Sequence, residues 1–234
     1  KRNPLCYSQI TKSFKILARL IMSEKHAEYR RRFTDNDPIN RLLEKLVLDV
    51  RQFTENQLTQ IKRLTRIGTA LSAEKNLDKL LEMIVVEAQK FTAADGGTLY
   101  IVSDDEKELN FAIVKNDTLR VSMGGTGGKI TWPPVKLKNS EGNPNFANVS
   151  AYVAISGKTV NIADVYNAKG FNFAGTKKFD RDTGYRSQSM LVVPLRNHEN
   201  DIIGVLQLLN AKNPATGKVI SFSAECQEMT LSLA

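Results

Sequence analysis

The sequence predicts an α+β domain on a mainly antiparallel sheet, preceded by long basic helices. Two observations carry the fold class. Stretches with strand character come in pairs joined by short polar turns, which is hairpin connectivity. The helical stretches do not alternate strictly with strands, which argues against a parallel βαβ sheet. A third observation, the uneven charge, sets the division of the chain. Residues 1–70 hold 15 basic and 7 acidic side chains, whereas residues 71–234 hold 18 of each. We therefore expect a basic helical segment over 1–70 and a neutral globular domain over 71–234. The formal charge of +8 belongs to the first segment alone, within an ordinary globular composition of 41 % hydrophobic and 25 % charged residues.

Residues 8–33 carry Ile10, Phe14, Leu17 and Ile21 at helical spacing, with basic residues between them. Asp37 and Pro38 then read as a helix start, because a carboxylate caps free N–H groups and Pro needs none at the first position. The next helix repeats Ile39, Leu43, Leu46, Val50 and Phe53, then Ile61, Leu64, Ile67 and Leu71. Such a stripe suits either a dimerising seam or packing against the chain's own domain. Ser72 is expected to cap a further helix whose buried face is Leu77, Leu80, Leu81, Ile84, Val85 and Ala88. That helix ends in Ala93-Ala94-Asp95-Gly96-Gly97.

The period then changes to two. Residues 98–103 and 108–114 read as a hairpin across Asp104-Asp105-Glu106-Lys107. Residues 116–148 are rich in turn formers, with one short strand near 135–138. A short helix over 147–155 closes at Gly157, and a strand follows at 159–162. Residues 163–187 read as irregular. A second hairpin pairs 189–195 with 202–209, and Ser221 or Ser223 caps a last helix.

Few residues are arranged for catalysis or metal binding. The glycine loop Gly124-Gly125-Thr126-Gly127-Gly128-Lys129 lacks the spacing and the following Ser or Thr of a phosphate loop, and reads as a mobile surface loop. His26, His198, Cys6 and Cys226 are scattered, so neither a metal site nor a nucleophile–base pair is suggested. The two distant cysteines point to a reducing compartment, the cytoplasm. The apolar runs 189–195 and 202–209 are too short to cross a bilayer. The basic run Arg30-Arg31-Arg32 suits a solvated helix face better than nucleic acid or a membrane.

From about residue 70 onward the chain resembles the GAF domain, a small-molecule-sensing module. The carriers begin with Leu71-Ser72-Ala73-Glu74, Leu77-Asp78-Lys79-Leu80-Leu81 and Ala94-Asp95-Gly96-Gly97-Thr98-Leu99-Tyr100. Further on come Val153-Ala154, Ser156-Gly157-Lys158-Thr159-Val160-Asn161-Ile162 and Asp164-Val165-Tyr166. The most specific stretch is Phe179-Asp180-Arg181-Asp182-Thr183-Gly184-Tyr185-Arg186-Ser187, which leads into Met190-Leu191-Val192-Val193-Pro194-Leu195. Gly204-Val205-Leu206-Gln207-Leu208-Leu209-Asn210 completes the set. The match is strongest to GAF domains attached to bacterial and animal cyclic-nucleotide enzymes.

The resemblance implies a six-stranded antiparallel sheet, with helices on one face that commonly build a dimer. It places a ligand pocket on the other face under a lid at 163–187. Asp180, Thr183 and Ser187 on the lid, with Thr98, Ser150 and Gln207 beneath it, match positions that contact ligand in cyclic-nucleotide-binding relatives. The competing reading is that these turns and caps simply hold loops.

Two departures stand out. Such relatives carry Asn-Lys, then Phe with Asp-Glu four residues later, for a Lys–Asp bridge that braces the lid. Here Lys212 is displaced by Ala211, and Cys226 and Gln227 stand where the acids belong, so the brace is expected to be lost or remade. The glycine-rich start of the short helix is replaced by Asn148-Val149-Ser150-Ala151. Cysteines placed for bilin attachment or methionine-sulfoxide reduction are missing.

The resulting expectation is a cytoplasmic, non-catalytic GAF sensor, with no catalytic or metal residues, cut from a longer signalling protein. Its output enzyme is expected to be a cyclase, a phosphohydrolase or a phosphatase. A small ligand, with cyclic AMP or cyclic GMP as the named candidates, would shift helices across a homodimer. The alternative is a structural dimerisation module with a vestigial pocket.

Overall fold

The computed structural model describes residues 36–233. The helix expected over 8–33 lies outside the described residues. The first described helix, α1, runs Asp37–Ala73. Its start is capped by Asn36 rather than Asp37: the Asn36 side-chain oxygen accepts the Ile39 N–H at 3.3 Å. The chain divides into two units between Ile61 and Lys62. In the first unit Ile39, Leu42, Leu46, Val50 and Phe53 are exposed. In the second, Ile67 is buried.

Ser72 lies inside α1, and the cap of α2 (Leu77–Thr92) is Asn76, whose side chain accepts from the Lys79 N–H. Leu77 is correspondingly exposed, while Val85 and Ala88 are fully buried. Ala93, with φ 52°, ends α2 in the left-handed region. The strand then begins at once. Asp95-Gly96-Gly97, read from sequence as a helix stop, belongs to β1 (Ala94–Val102). A Cβ on Gly97 would sit 2.7 Å from Val85 Cγ1, so the missing side chain is what lets α2 press on the sheet.

The remaining elements are β2 (Glu108–Asn116), β3 (Val121–Gly124), β4 (Val135–Lys136), α3 (Val149–Ser156) and β5 (Val160–Ile162). After them come α4 (Ala174–Thr183), β6 (Met190–Arg196), β7 (Ile202–Lys212), β8 (Val219–Ile220) and α5 (Ala224–Leu233). The strand order is β3-β2-β1-β7-β6-β5, with β4 added to β2 and β8 to β7. Every pairing is antiparallel. The six-stranded path is the one expected, and β4 and β8 are short additions to it.

Three elements escaped the pattern. β3 and β8 are too short to show a period. The polar α4 sits inside the stretch read as irregular, where Asn172-Phe173-Ala174-Gly175 disguises its start. The glycine loop is tied down rather than free: Glu82 on α2 accepts from Thr126 Oγ1 and from Lys115 Nζ, each at 2.7 Å.

Alternation along the strands splits the core into two layers. Leu99, Ile113, Leu191, Leu206 and Leu208 face α2 and pack with Val85, Ala88 and Phe222. Tyr100, Met190, Val192 and Val205 face the other way, against Val149 and Val153 of α3 and against Val165 and Phe173. Each fully buried Leu or Val contributes about 1.5–3 kcal/mol. The second layer places residues 163–187 over the sheet.

Candidate ligand-binding site

The six candidate residues fall into two groups. Thr98 on β1 pairs directly with Gln207 on β7. Both side chains point to the α3 face, because they share the parity of Tyr100 and Val205. Ser150, in the first turn of α3, donates its hydroxyl to Gln207 Oε1 at 3.1 Å. Asn148 orients that turn by accepting the Ala151 N–H at 3.0 Å. Thr98 and Ser150 are buried. Burial pushes the neighbouring Tyr100 phenol up to about 12, and the Ser150 hydroxyl beside it acts in the opposite direction. Thr98 and Gln207 on the sheet and Ser150 on α3 thus offer neutral donors and acceptors against an apolar sheet face.

The second group lies in the covering segment. The buried carboxylate of Asp180, on the last turn of α4, accepts the Ser187 N–H and hydroxyl, each at 2.8 Å. It also accepts the Tyr166 hydroxyl at 2.8 Å. Thr183 turns its hydroxyl back to the Phe179 carbonyl at 2.7 Å. Gly184, with φ 68°, then closes α4. These bonds knit the cover to itself. Arg186 lies over the Tyr166 ring, 4.2 Å from its centroid.

An aromatic row links sheet and cover. Tyr100 meets Phe111 at 4.7 Å between ring centroids, Phe111 meets Trp132 at 5.4 Å, and Trp132 meets Phe179 of α4 at 6.0 Å. The last two contacts are edge-on. Sequence reasoning missed this row: Trp132 stands in a Pro-flanked loop with no periodicity to assign it.

It also left the brace open, and the structure shows it remade. Lys212 pairs with Asp95, whose side chain is 1 % exposed. Thr118 and Tyr185 also donate to Asp95, at 2.8 and 2.7 Å. Burial opposes ionisation of Asp95, but these three donors outweigh it and hold the carboxyl below its ordinary range. Asn161 takes up Gln227 instead, donating to its Oε1 at 3.3 Å.

An open cleft of about 870 Å³ lies elsewhere, at the β1–β2 and β6–β7 turns, lined among others by Val102, Lys138, Ile155 and Arg196. None of the six candidate residues lines it. Among the described residues no group of three or more His, Cys, Asp or Glu is placed to hold a metal ion. No helix among them is long and apolar enough to cross a membrane.

A family model described as GAF domain matches residues 76–234. The chain belongs to the GAF domain family. It is 40 % identical over 62 residues to the dual 3′,5′-cyclic-AMP and -GMP phosphodiesterase 11A of Takifugu rubripes, covering 26 % of this chain and 6 % of that protein. It is 27 % identical over 142 residues to the cGMP-specific 3′,5′-cyclic phosphodiesterase of Drosophila ananassae, covering 60 % and 11 %. The chain thus spans only a small part of these relatives. Among solved structures, the GAF domain of a phosphoenolpyruvate-protein phosphotransferase from Coxiella burnetii superposes with a TM-score of 0.51. That match has 16 % identity and covers 76 % of this chain and 89 % of that one, which establishes the fold alone.

Proposed function

We propose that residues 71–234 are a regulatory GAF sensor, without catalysis of its own, for a small planar ligand. Cyclic AMP and cyclic GMP are the first candidates. One observation carries this reading: the neutral polar side chains of Thr98 and Gln207 on an apolar sheet face, with Ser150 of α3 bonded to Gln207, stand beside an aromatic row that continues into the cover. Rings supply stacking surfaces for a purine, and hydroxyl and amide groups supply its hydrogen bonds. Asp180, Thr183 and Ser187 hold the cover that closes over the ligand. The phosphodiesterase relatives support the choice of cyclic nucleotides. In this reading the domain sits in a cytoplasmic signalling protein and passes the ligand signal to a linked output domain.

Calorimetry with cyclic AMP, cyclic GMP and a metabolite panel tests the proposal. Saturable heat, lost in Gln207→Ala, is expected. Silence across the panel overturns ligand sensing.

A second reading is favoured by the exposed Leu42, Leu46, Val50 and Phe53 of α1: a homodimer formed through the helical segment 1–70, whether or not the pocket is filled. Mass measurement before and after removal of residues 1–70 separates the two. A dimer that becomes a monomer with ligand affinity intact assigns the two roles to different parts of the chain.

A further inference from the structure

We infer that Tyr185 is the latch that joins the cover to the sheet and to α2, a positioning role that rests on the sensor reading above. Tyr185 follows the Gly184 stop of α4 and is buried. Its hydroxyl donates to Asp95 Oδ2 at 2.7 Å and accepts from Asn210 Nδ2 at 2.9 Å. Asn210 holds the same strand of cover by its backbone. Its Nδ2 donates to the Arg186 carbonyl at 2.7 Å and its Oδ1 accepts the Gln188 N–H at 2.7 Å. Asn210 does this from φ 55° on β7, a conformation that Asn tolerates better than most residues.

Asp95 links this knot to the helix. It lies two residues past the α2 cap, and Gln89 of α2 donates its amide to the Asp95 carbonyl at 3.2 Å. The Lys212 N–H donates to the carbonyl of Ala93, the cap itself, at 2.9 Å. A continuous set of hydrogen bonds therefore runs from the cover through Tyr185 and Asp95 to the end of α2. Burial first, and then the hydrogen bond to Asp95, raise the Tyr185 pKa, so the phenol stays a donor across the physiological range. Because Asp95 is ionised and enclosed, its bond from Tyr185 is of the charge-assisted kind. The cover cannot lift there without leaving an enclosed carboxylate short of a donor. Opening at Tyr185 and a change at the end of α2 are thus one event.

Hydrogen exchange of the whole chain without ligand tests this, comparing Tyr185→Phe with Lys212→Met. Lys212 also binds Asp95 but makes no bond to the cover, so a merely structural role would make the two variants alike. The latch predicts about tenfold faster exchange in residues 163–188 and 86–93 of Y185F, with the centres of β1, β6 and β7 unchanged. K212M should show no such selectivity. Uniform acceleration in Y185F, or none in the cover, overturns the latch. Should Y185F not fold, Asn210→Asp keeps a side chain suited to φ 55° but turns the donor to Tyr185 into an acceptor. It carries the same expectation and the same overturning result. Titration with cyclic GMP and cyclic AMP is read separately: if neither binds the wild type, the choice of ligand fails while the latch still stands or falls on exchange.

Discussion

Lys212 on β7 and Asp95 at the head of β1 form an ion pair across 117 positions of sequence. The β1–β7 register, which sets Ala94 opposite Ala211, brings them together. Asp95 is enclosed, whereas Lys212 keeps 38 % of its side-chain surface in water. Removing the lysine therefore strands an interior charge. We expect Lys212→Met to cost about 1–3 kcal/mol in urea unfolding, and the double change with Asp95→Asn to cost less than the sum. Strict additivity would show that the two side chains do not act as a pair.

The same pair makes acid stability depend on Asp95. Its folded pKa lies below the ordinary 3.8 because the Lys212, Tyr185 and Thr118 bonds overcome the burial that opposes ionisation. The unfolded chain then binds this proton more readily than the folded one. The contribution is complete above the unfolded value and is lost as pH falls through the folded one. Asp95→Asn should flatten the fall in stability below about pH 4, although Glu82, Asp105 and Asp182, also lowered, keep part of the slope. An unchanged slope would remove Asp95 from this account.

The alkaline limb has the opposite sign. Burial raises the Tyr100 phenol from 10.0 to about 12, so its contribution is present below pH 10 and is lost as pH rises from 10 toward 12. Tyr100→Phe should remove one delayed component of the phenolate absorbance titration and make stability less sensitive over that window. Tyr185, also raised, remains titratable in that variant.

Two glycines should respond in opposite directions. A Cβ on Gly204 would lie 2.3 Å from the Tyr100 carbonyl oxygen, forcing apart the central β1–β7 pair. Gly204→Ala should cost about 1–3 kcal/mol. Gly175, in α4, has open space around the corresponding position and no positive φ. Gly175→Ala should add about 0.4–1 kcal/mol by restricting the unfolded chain. Thermal or urea unfolding of both variants reads the contrast, and equal effects would contradict it.

Trp132 is the only tryptophan, and its edge-on contact with Phe179 makes it a reporter of the cover. Phe179→Ala should shift its emission to longer wavelength and remove about 0.5–1.5 kcal/mol of ring–ring interaction beyond area burial. An emission spectrum identical to wild type would place Trp132 outside the cover's influence.

The two hairpins and α2 were legible because their apolar residues recur at the period of the element they form. The α3 stop at Gly157 and the Ser223 cap of α5, whose hydroxyl oxygen accepts the Cys226 N–H at 3.1 Å, were legible as local chemistry. The polar α4 and the two-residue β8 were not, since neither repeats an apolar period long enough to register. The neighbourhood of Thr98, Ser150 and Gln207 came from resemblance, and only the register of β1 on β7 made Thr98 and Gln207 partners.

The sequence by itself determined the antiparallel sheet and its sided core, because these follow from local periodicity, and it located the excess positive charge in residues 1–70. The tertiary structure decided what Lys212, Asp95, Tyr185 and Asn210 do together. Their distances depend on how β7 pairs with β1 and on where the cover returns to the sheet, and no local pattern in the chain encodes a contact between residues so far apart.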